Sequence, residues 1–285
     1  MINILVTGGN GQLATCIKDL ESTYSNLNFI YANSAELNIA DCNAVQQFFN
    51  TKEIQYCINC AAYTAVDKAE SDQEKATQVN VVGAKNLAIA CAEKNATLIQ
   101  VSTDFVFNGE KSVAYTETDP TNATGVYGAT KLEGEQEVAK NLAQHFIVRT
   151  SWLYSENGNN FMKTMIKLAQ GRALLTIVAD QIGTPTYATD LAETLIKIIT
   201  TNNTQYGVYH YSNEGVASWY DFAKAIFEES NIKIKVLPIP SKAYPTPAKR
   251  PHFSVLDKTK IKTNLQIEIP YWRDSLKKAL SNSYE

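Results

Sequence analysis

Apolar residues in the first half of the chain follow two alternating rhythms. Short runs at Ile2–Val6, Asn28–Tyr31, Tyr56–Asn59, Leu98–Val101 and Phe146–Arg149 are continuous and rich in β-formers. Continuous runs of that length are expected of strands covered on both faces. Between them, near 12–22, 42–51, 72–94 and 127–141, apolar positions recur at helical spacing. Strands separated by helices imply right-handed crossovers and an α/β fold, a doubly wound parallel sheet with helices on both faces.

Beyond residue 150 the rhythm loosens. GNNFMKTMIKLAQ, TDLAETLIKIIT and ASWYDFAKAIFEES read as helices, the last with an aromatic face, and YGVYHYS as a short strand. Pro238, Pro240, Pro245, Pro247 and Pro251 then crowd together, which predicts an ordered loop, since proline fixes φ and lacks a donor. The expected organisation is one domain over 1–150, with returning elements from about 175–200, and a smaller lobe over 151–285.

Charge narrows the function classes. The formal net charge is −3, and no stretch concentrates Lys and Arg, so nucleic acid is not an expected partner. No apolar run approaches the roughly 18 residues of a membrane span. MINILVTGG has no cationic flank and reads as a first strand rather than a signal peptide. The five cysteines, an odd number, argue against a disulfide framework and for the cytoplasm. Cys57 and Cys60 are formally a C-x-x-C pair, but they sit on a strand, not at a helix N-terminus, and point to opposite faces. His145, His210 and His252 lack metal spacing, and no metal site is expected.

Two motifs carry chemistry. Thr7-Gly8-Gly9-Asn10-Gly11-Gln12-Leu13-Ala14 joins the first strand to the first helix. Glycines permit the tight turn and a close backbone approach, and the helix N-terminus favours phosphate. That placement points to a Rossmann-type dinucleotide site. The second strand ends in Tyr31-Ala32-Asn33-Ser34, with neither the acid that grips a ribose 2′-hydroxyl nor an Arg for a 2′-phosphate. NADPH is favoured slightly, with NADH possible. Asn38 and Ile39 are candidates to frame the adenine, against a plain helix cap at Asp41. The second motif is Tyr127-Gly128-Ala129-Thr130-Lys131, preceded by Ser102-Thr103-Asp104 at a strand end. Residues four apart share a helical face, so Lys131 is expected to lower the Tyr127 phenol pKa and hold a cofactor ribose. Tyr127 then protonates a carbonyl oxygen that Thr103 orients.

These stretches resemble the extended short-chain dehydrogenase/reductase family and, within it, the dTDP-4-dehydrorhamnose reductases. GGNGQLA, NCAAYTAVDKAES, VSTDFVF, YGATKLEGE, RTSWLY, GNNFMKTM, DQIGTPT and AYPTPAKRP carry the likeness from end to end. It implies NADPH-dependent reduction of a dTDP-linked 4-keto-6-deoxy sugar, with Thr103, Tyr127 and Lys131 as the catalytic set. It implies cofactor contacts at Gly8, Gly11, Gln12, Leu13, Ala62, Tyr63 and Thr64. Val66, Thr103, Asp104 and Trp152 would line the sugar, with an indole face against the apolar side of the ring. Asn160, Gln181 and Arg250 would hold the nucleotide and diphosphate end. Enterobacterial members bridge a dimer with Mg²⁺ held by glutamates; the matching places are Cys16, Thr189 and Arg273 here. A thiol, a hydroxyl and a guanidinium do not suit a hard cation, so no Mg²⁺ is expected, and a monomer or a dimer built without it is. The alternatives are a related 4-ketoreductase of other sugar or epimer specificity, or a non-catalytic regulatory subunit like that of methionine adenosyltransferase.

Overall fold

The computed structural model describes residues 1–283. Strands β1 (Ile2–Thr7), β2 (Leu27–Ala32), β3 (Tyr56–Asn59), β4 (Thr97–Thr103) and β5 (His145–Thr150) alternate with helices α1 (Gln12–Leu20), α2 (Cys42–Thr51), α3 (Gly83–Glu93) and α4 (Val126–Asn141). The second half adds α5 (Phe161–Ala169), β6 (Leu174–Val178), α6 (Ala188–Thr200), β7 (Gly207–His210), α7 (Trp219–Glu229), β8 (Lys235–Ile239), α8 (Thr259–Leu265) and α9 (Trp272–Asn282).

The main sheet is parallel throughout, in the order β7-β5-β4-β3-β1-β2. Strand order reverses between β1 and β3, and ligands of such sheets bind beyond the strand C-termini at that point. Successive residues serve opposite faces. Ile4 and Val6 of β1 pack with α1, α6 and α8, whereas Leu5 packs with α2, α3 and α4. The continuous apolar strands are thus explained by two covered faces. Cys57 and Cys60 divide in the same way, one in each layer.

The helical stretch expected at 72–94 is broken. Gln73–Thr77 is α-helical, Gln78–Val82 is a π-helical turn, and α3 follows. A π turn inside a helix often marks a functional site, and this one faces α4.

The second lobe has its own core. Met162, Phe222, Trp272 and Leu276 gather from α5, α7 and α9 around Tyr154 of the short strand Leu153–Tyr154, beside a parallel pair, β6 with β8. The proline-rich stretch contributes the end of β8, a single 3₁₀ turn at Ser241–Ala243 and otherwise loop. Three elements of this half return to the sheet, α8 among them. Helix α6 packs on α1, and β7 pairs with β5, the latter outside the stretch expected from the sequence. Among the described residues, no helix is long and apolar enough to cross a membrane.

Candidate active site

The turn from β1 to α1 is built for an anion. Gly8 has φ of 65°, and a β-carbon there would stand 2.8 Å from the Ala61 nitrogen. The loop after β3 therefore crosses directly over the glycine turn. Gly11 is the N-cap of α1, and no side chain caps the helix. The first-turn N–H groups of Gln12, Leu13 and Ala14 have no acceptor within the helix, and with the helix dipole they fit a pyrophosphate. The Leu13 side chain is core, so its contribution is backbone only. Ala62, Tyr63 and Thr64 lie on the loop that follows β3, with the Tyr63 N–H donating to Asn80 Oδ1 at 2.9 Å.

The adenine end is shaped by the segment after β2. Ile39 is buried against α3, and its carbonyl accepts from Asn86 at 2.9 Å. Asp41 does cap α2, accepting from Asn43 and Ala44, and Asn38 remains exposed beside it. An acid also stands near the end of β2: Glu36 accepts the Asn33 N–H at 2.9 Å.

The Tyr127 centre lies at the C-terminal end of β4. Thr103 and Asp104 leave that strand, and Tyr127 and Lys131 sit one turn apart on α4. The helix is seated close. A β-carbon at Gly128 would come within 2.2 Å of the Phe105 carbonyl oxygen, so nothing larger than glycine lets α4 approach. Glu70 accepts the Val126 N–H at 2.9 Å and anchors the start of the helix. Asn80, from the π turn, donates to Thr130 at 3.1 Å and so ties the Tyr63 loop to α4.

Electrostatics depart from expectation in one respect. Lys131 was expected to lower the Tyr127 phenol. Instead burial pushes that phenol up to about 12, the nearby Thr103 hydroxyl opposes the rise and Asp104 adds to it. The Lys131 amine is directed to the Val101 carbonyl at 2.7 Å. Burial brings its own pKa down to about 8, against the pull of Glu135. Tyr127 is therefore a protonated acid at neutral pH.

Asp104 is 2% exposed, and its Oδ2 has no partner. Burial raises its pKa from 3.8 to about 6, while the Ser254 and Thr103 hydroxyls lower it. A carboxyl whose folded pKa is raised destabilises the fold at high pH; the penalty is fully present above the folded value and absent below the unfolded one. Asp104→Asn is therefore expected to stabilise the protein at about pH 7 by up to about 3 kcal/mol. Near pH 3, below the unfolded value, the gain should vanish. Thermal melts at the two pH values check this, and an equal shift at both would contradict it.

A buried polar ladder behind the centre was not legible in the sequence. Thr7 donates to Asn59 at 2.6 Å, Asn59 to Gln100 at 2.7 Å, and Gln100 to the Val101 carbonyl at 3.1 Å, the same oxygen that holds Lys131. Deeper still, Glu135 accepts from Arg149 Nη2 at 2.7 Å and from Ser102 at 2.5 Å.

The proposed sugar and nucleotide residues scatter around this centre. Trp152 is half-buried and follows β5. Gln181 precedes Ile182, which pairs with Phe253 of the extended 250–257 segment. That segment brings Ser254 to Asp104. Arg250 forms a two-pronged pair with Asp67, at 2.9 and 2.7 Å, which places it beside Val66. Asn160 lies where the second lobe meets the glycine loop. It caps α5 and donates to Gln12 at 2.8 Å and to the Ser155 carbonyl at 2.7 Å. Its amide joins the second lobe to the glycine loop. Among the described residues, no group of three or more His, Cys, Asp and Glu is placed to hold a metal ion.

A family described as RmlD substrate binding domain matches residues 2–285. The chain belongs to that family. A dTDP-4-dehydrorhamnose reductase of Aggregatibacter actinomycetemcomitans is 42% identical over 288 residues, covering 97% of this chain and 98% of the relative. Two solved structures of the family superpose closely. The dTDP-4-dehydrorhamnose reductase of Clostridium acetobutylicum has a TM-score of 0.96 at 42% identity, with 100% of both chains covered. That of Bacillus anthracis, in complex with NADP, has a TM-score of 0.95 at 38% identity, covering 99% of this chain and 100% of that one.

Proposed function

We propose that this chain reduces the 4-keto group of dTDP-4-dehydro-L-rhamnose to dTDP-L-rhamnose with NADPH, for rhamnose-containing polysaccharides. One observation carries the reading: a protonated Tyr127, the Thr103 hydroxyl and Lys131 meet at the end of β4, in a chain matched from end to end by reductases of that name.

When bound, the nicotinamide supplies a hydride to carbon 4 of the sugar. Tyr127 donates its phenol proton to the keto oxygen, and Thr103 holds that oxygen. Lys131, charged below about 8, steadies the ribose hydroxyls. Gly8, Gly11 and the N–H groups of Gln12 and Leu13 hold the pyrophosphate, with Ala62, Tyr63 and Thr64 along it. Trp152 and Val66 flank the deoxyhexose between the two lobes, and Asp104 accepts from a sugar hydroxyl. Gln181 and Arg250 take the nucleotide diphosphate, for which a guanidinium has the matching geometry. Remote contacts of this kind position the reacting carbon.

The relative solved with NADP supports NADPH as the principal cofactor; NADH is the second to assay. All five cysteines are free, which supports a reducing, cytoplasmic setting. The decisive assay supplies enzymatically generated dTDP-4-keto-L-rhamnose with NADPH or NADH and reads the product by NMR. Absence of turnover with both cofactors would end the proposal.

The same reading extends to assembly: no Mg²⁺ bridges two copies. The Cys16 thiol lies among Thr189, Ser155 and Asn157, and Arg273 pairs with Glu228 and Glu229, which is no donor set for a hard cation. Native mass spectrometry is expected to give the same mass with and without Mg²⁺. A dimer that forms only with the ion would contradict this.

A further inference from the structure

Trp152 is held in an unusual way. Its φ is 47°, a left-handed conformation that a bulky residue adopts only when its surroundings impose it. Two neighbours do so. Trp219, the first residue of α7, lies flat on one indole face, with ring centroids 3.6 Å apart and planes within 8°. Gly183 abuts the ring edge; a β-carbon there would stand 2.8 Å from Trp152 Cε2. Trp219 is itself fixed, because Ser218 and Asp221 close a reciprocal cap at the start of α7. Phe161 of α5 lies against it with centroids 4.7 Å apart. Aromatic pairs left to themselves prefer offset or edge-on contact, so the frame of α5 and α7 imposes this stack. One face of Trp152 is closed, yet the side chain stays partly exposed beside Ser254, whose hydroxyl neighbours both Gly183 and Asp104.

We propose that Trp219 is a specificity-determining positioning residue. It fixes the height and tilt of the Trp152 indole, which then serves as a rigid platform for the apolar side of a 6-deoxyhexose. The proposal rests on the reading of this chain as a keto-sugar reductase. A platform backed by a second indole cannot retreat. The methyl group of a deoxy sugar fits against it, whereas a hydroxymethyl group is larger and must shed water to do so. Without Trp219, Trp152 relaxes toward ordinary backbone, and the slot loses its set width.

The test compares Trp219→Leu, Trp219→Phe and Gly183→Ala with the unaltered protein. Trp219→Leu is expected to raise KM for the keto sugar about three- to tenfold, the worth of one aromatic stack, with kcat and NADPH affinity held. It should also narrow the ratio of inhibition constants between dTDP-L-rhamnose and dTDP-glucose. The coupled indole signal in circular dichroism should disappear with it. Trp219→Phe should recover most of the KM, which a merely structural defect would not. Gly183→Ala presses on the same indole from its edge and should raise KM too; it decides the matter should Trp219→Leu not fold. A folded Trp219→Leu with unchanged KM and inhibition ratio overturns the proposal, as does an unchanged Gly183→Ala. Trp152→Leu separates the two readings. A raised KM there with Trp219→Leu unchanged sinks only this inference, whereas an inactive parent protein sinks the function.

Discussion

Tyr127→Phe is expected to lower turnover by about 10²–10⁴-fold while NADPH binding stays within about twofold. The expectation rests on a clean subtraction. The phenol ring packs edge-on against Phe105 with centroids 5.5 Å apart, and a phenylalanine fills the same slot. Lys131 keeps its bond to the Val101 carbonyl, so the cofactor side is undisturbed. What is lost is the one acid near Thr103 that is fully protonated at neutral pH, since burial holds it at about 12. Single-turnover kinetics and a fluorescence titration of NADPH measure the two quantities. Turnover retained in this variant would remove Tyr127 from the mechanism.

Glu135→Leu is the second large effect, and it acts on stability. Glu135 and Arg149 form an ion pair with side chains only 4% and 5% exposed. Arg149 reaches it through Nε at 3.0 Å and Nη2 at 2.7 Å. His210, beside Arg149 and held down to about 3 by burial and that guanidinium, is neutral and brings no negative charge to offset the stranded cation. Leaving one partner of a buried pair alone costs about 3–5 kcal/mol, a large share of the roughly 5–15 kcal/mol that keeps a protein folded. Adding Arg149→Met removes the stranded charge, and the double variant is expected to recover much of the loss. Denaturant midpoints of the three proteins decide it. A single variant within about 1 kcal/mol of the parent would show that the pair carries little.

Much of the first half was legible because the strands are covered on both faces, and that leaves continuous apolar runs in the sequence. The Gly8–Gly11 turn and the Tyr127–Lys131 spacing were equally plain, being local. What escaped was long-range. β6 and β8 pair across some sixty residues of chain, and no periodicity announces a partner that far away. Thr7, Asn59 and Gln100 form one polar ladder from three strands, but each alone is an ordinary polar residue. The bond from Asn160 to Gln12 joins residues 148 positions apart, and no local pattern points to it. The raised Tyr127 phenol is not legible in the sequence for a related reason. Spacing puts Lys131 on the same face, but burial, which outweighs it, depends on the packed whole. Trp219 was seen only as part of an aromatic helix face, and its partner is visible only once Trp152 turns left-handed.

The path of the chain between the lobes has a consequence for how such a protein changes its diet. The chain leaves the sheet at Thr150, returns at Ala188, departs after His210, returns with Thr259 and departs again for Trp272. The second lobe is thus no cassette. It cannot be exchanged with that of a relative by one cut and one join, because every segment removed takes with it α6, β7 or α8 from the sheet. On the proposed reading, new sugar preferences arise in place, one side chain at a time, on the loops around Trp152, Gly183 and Ser254, while the interleaved scaffold stays as it is.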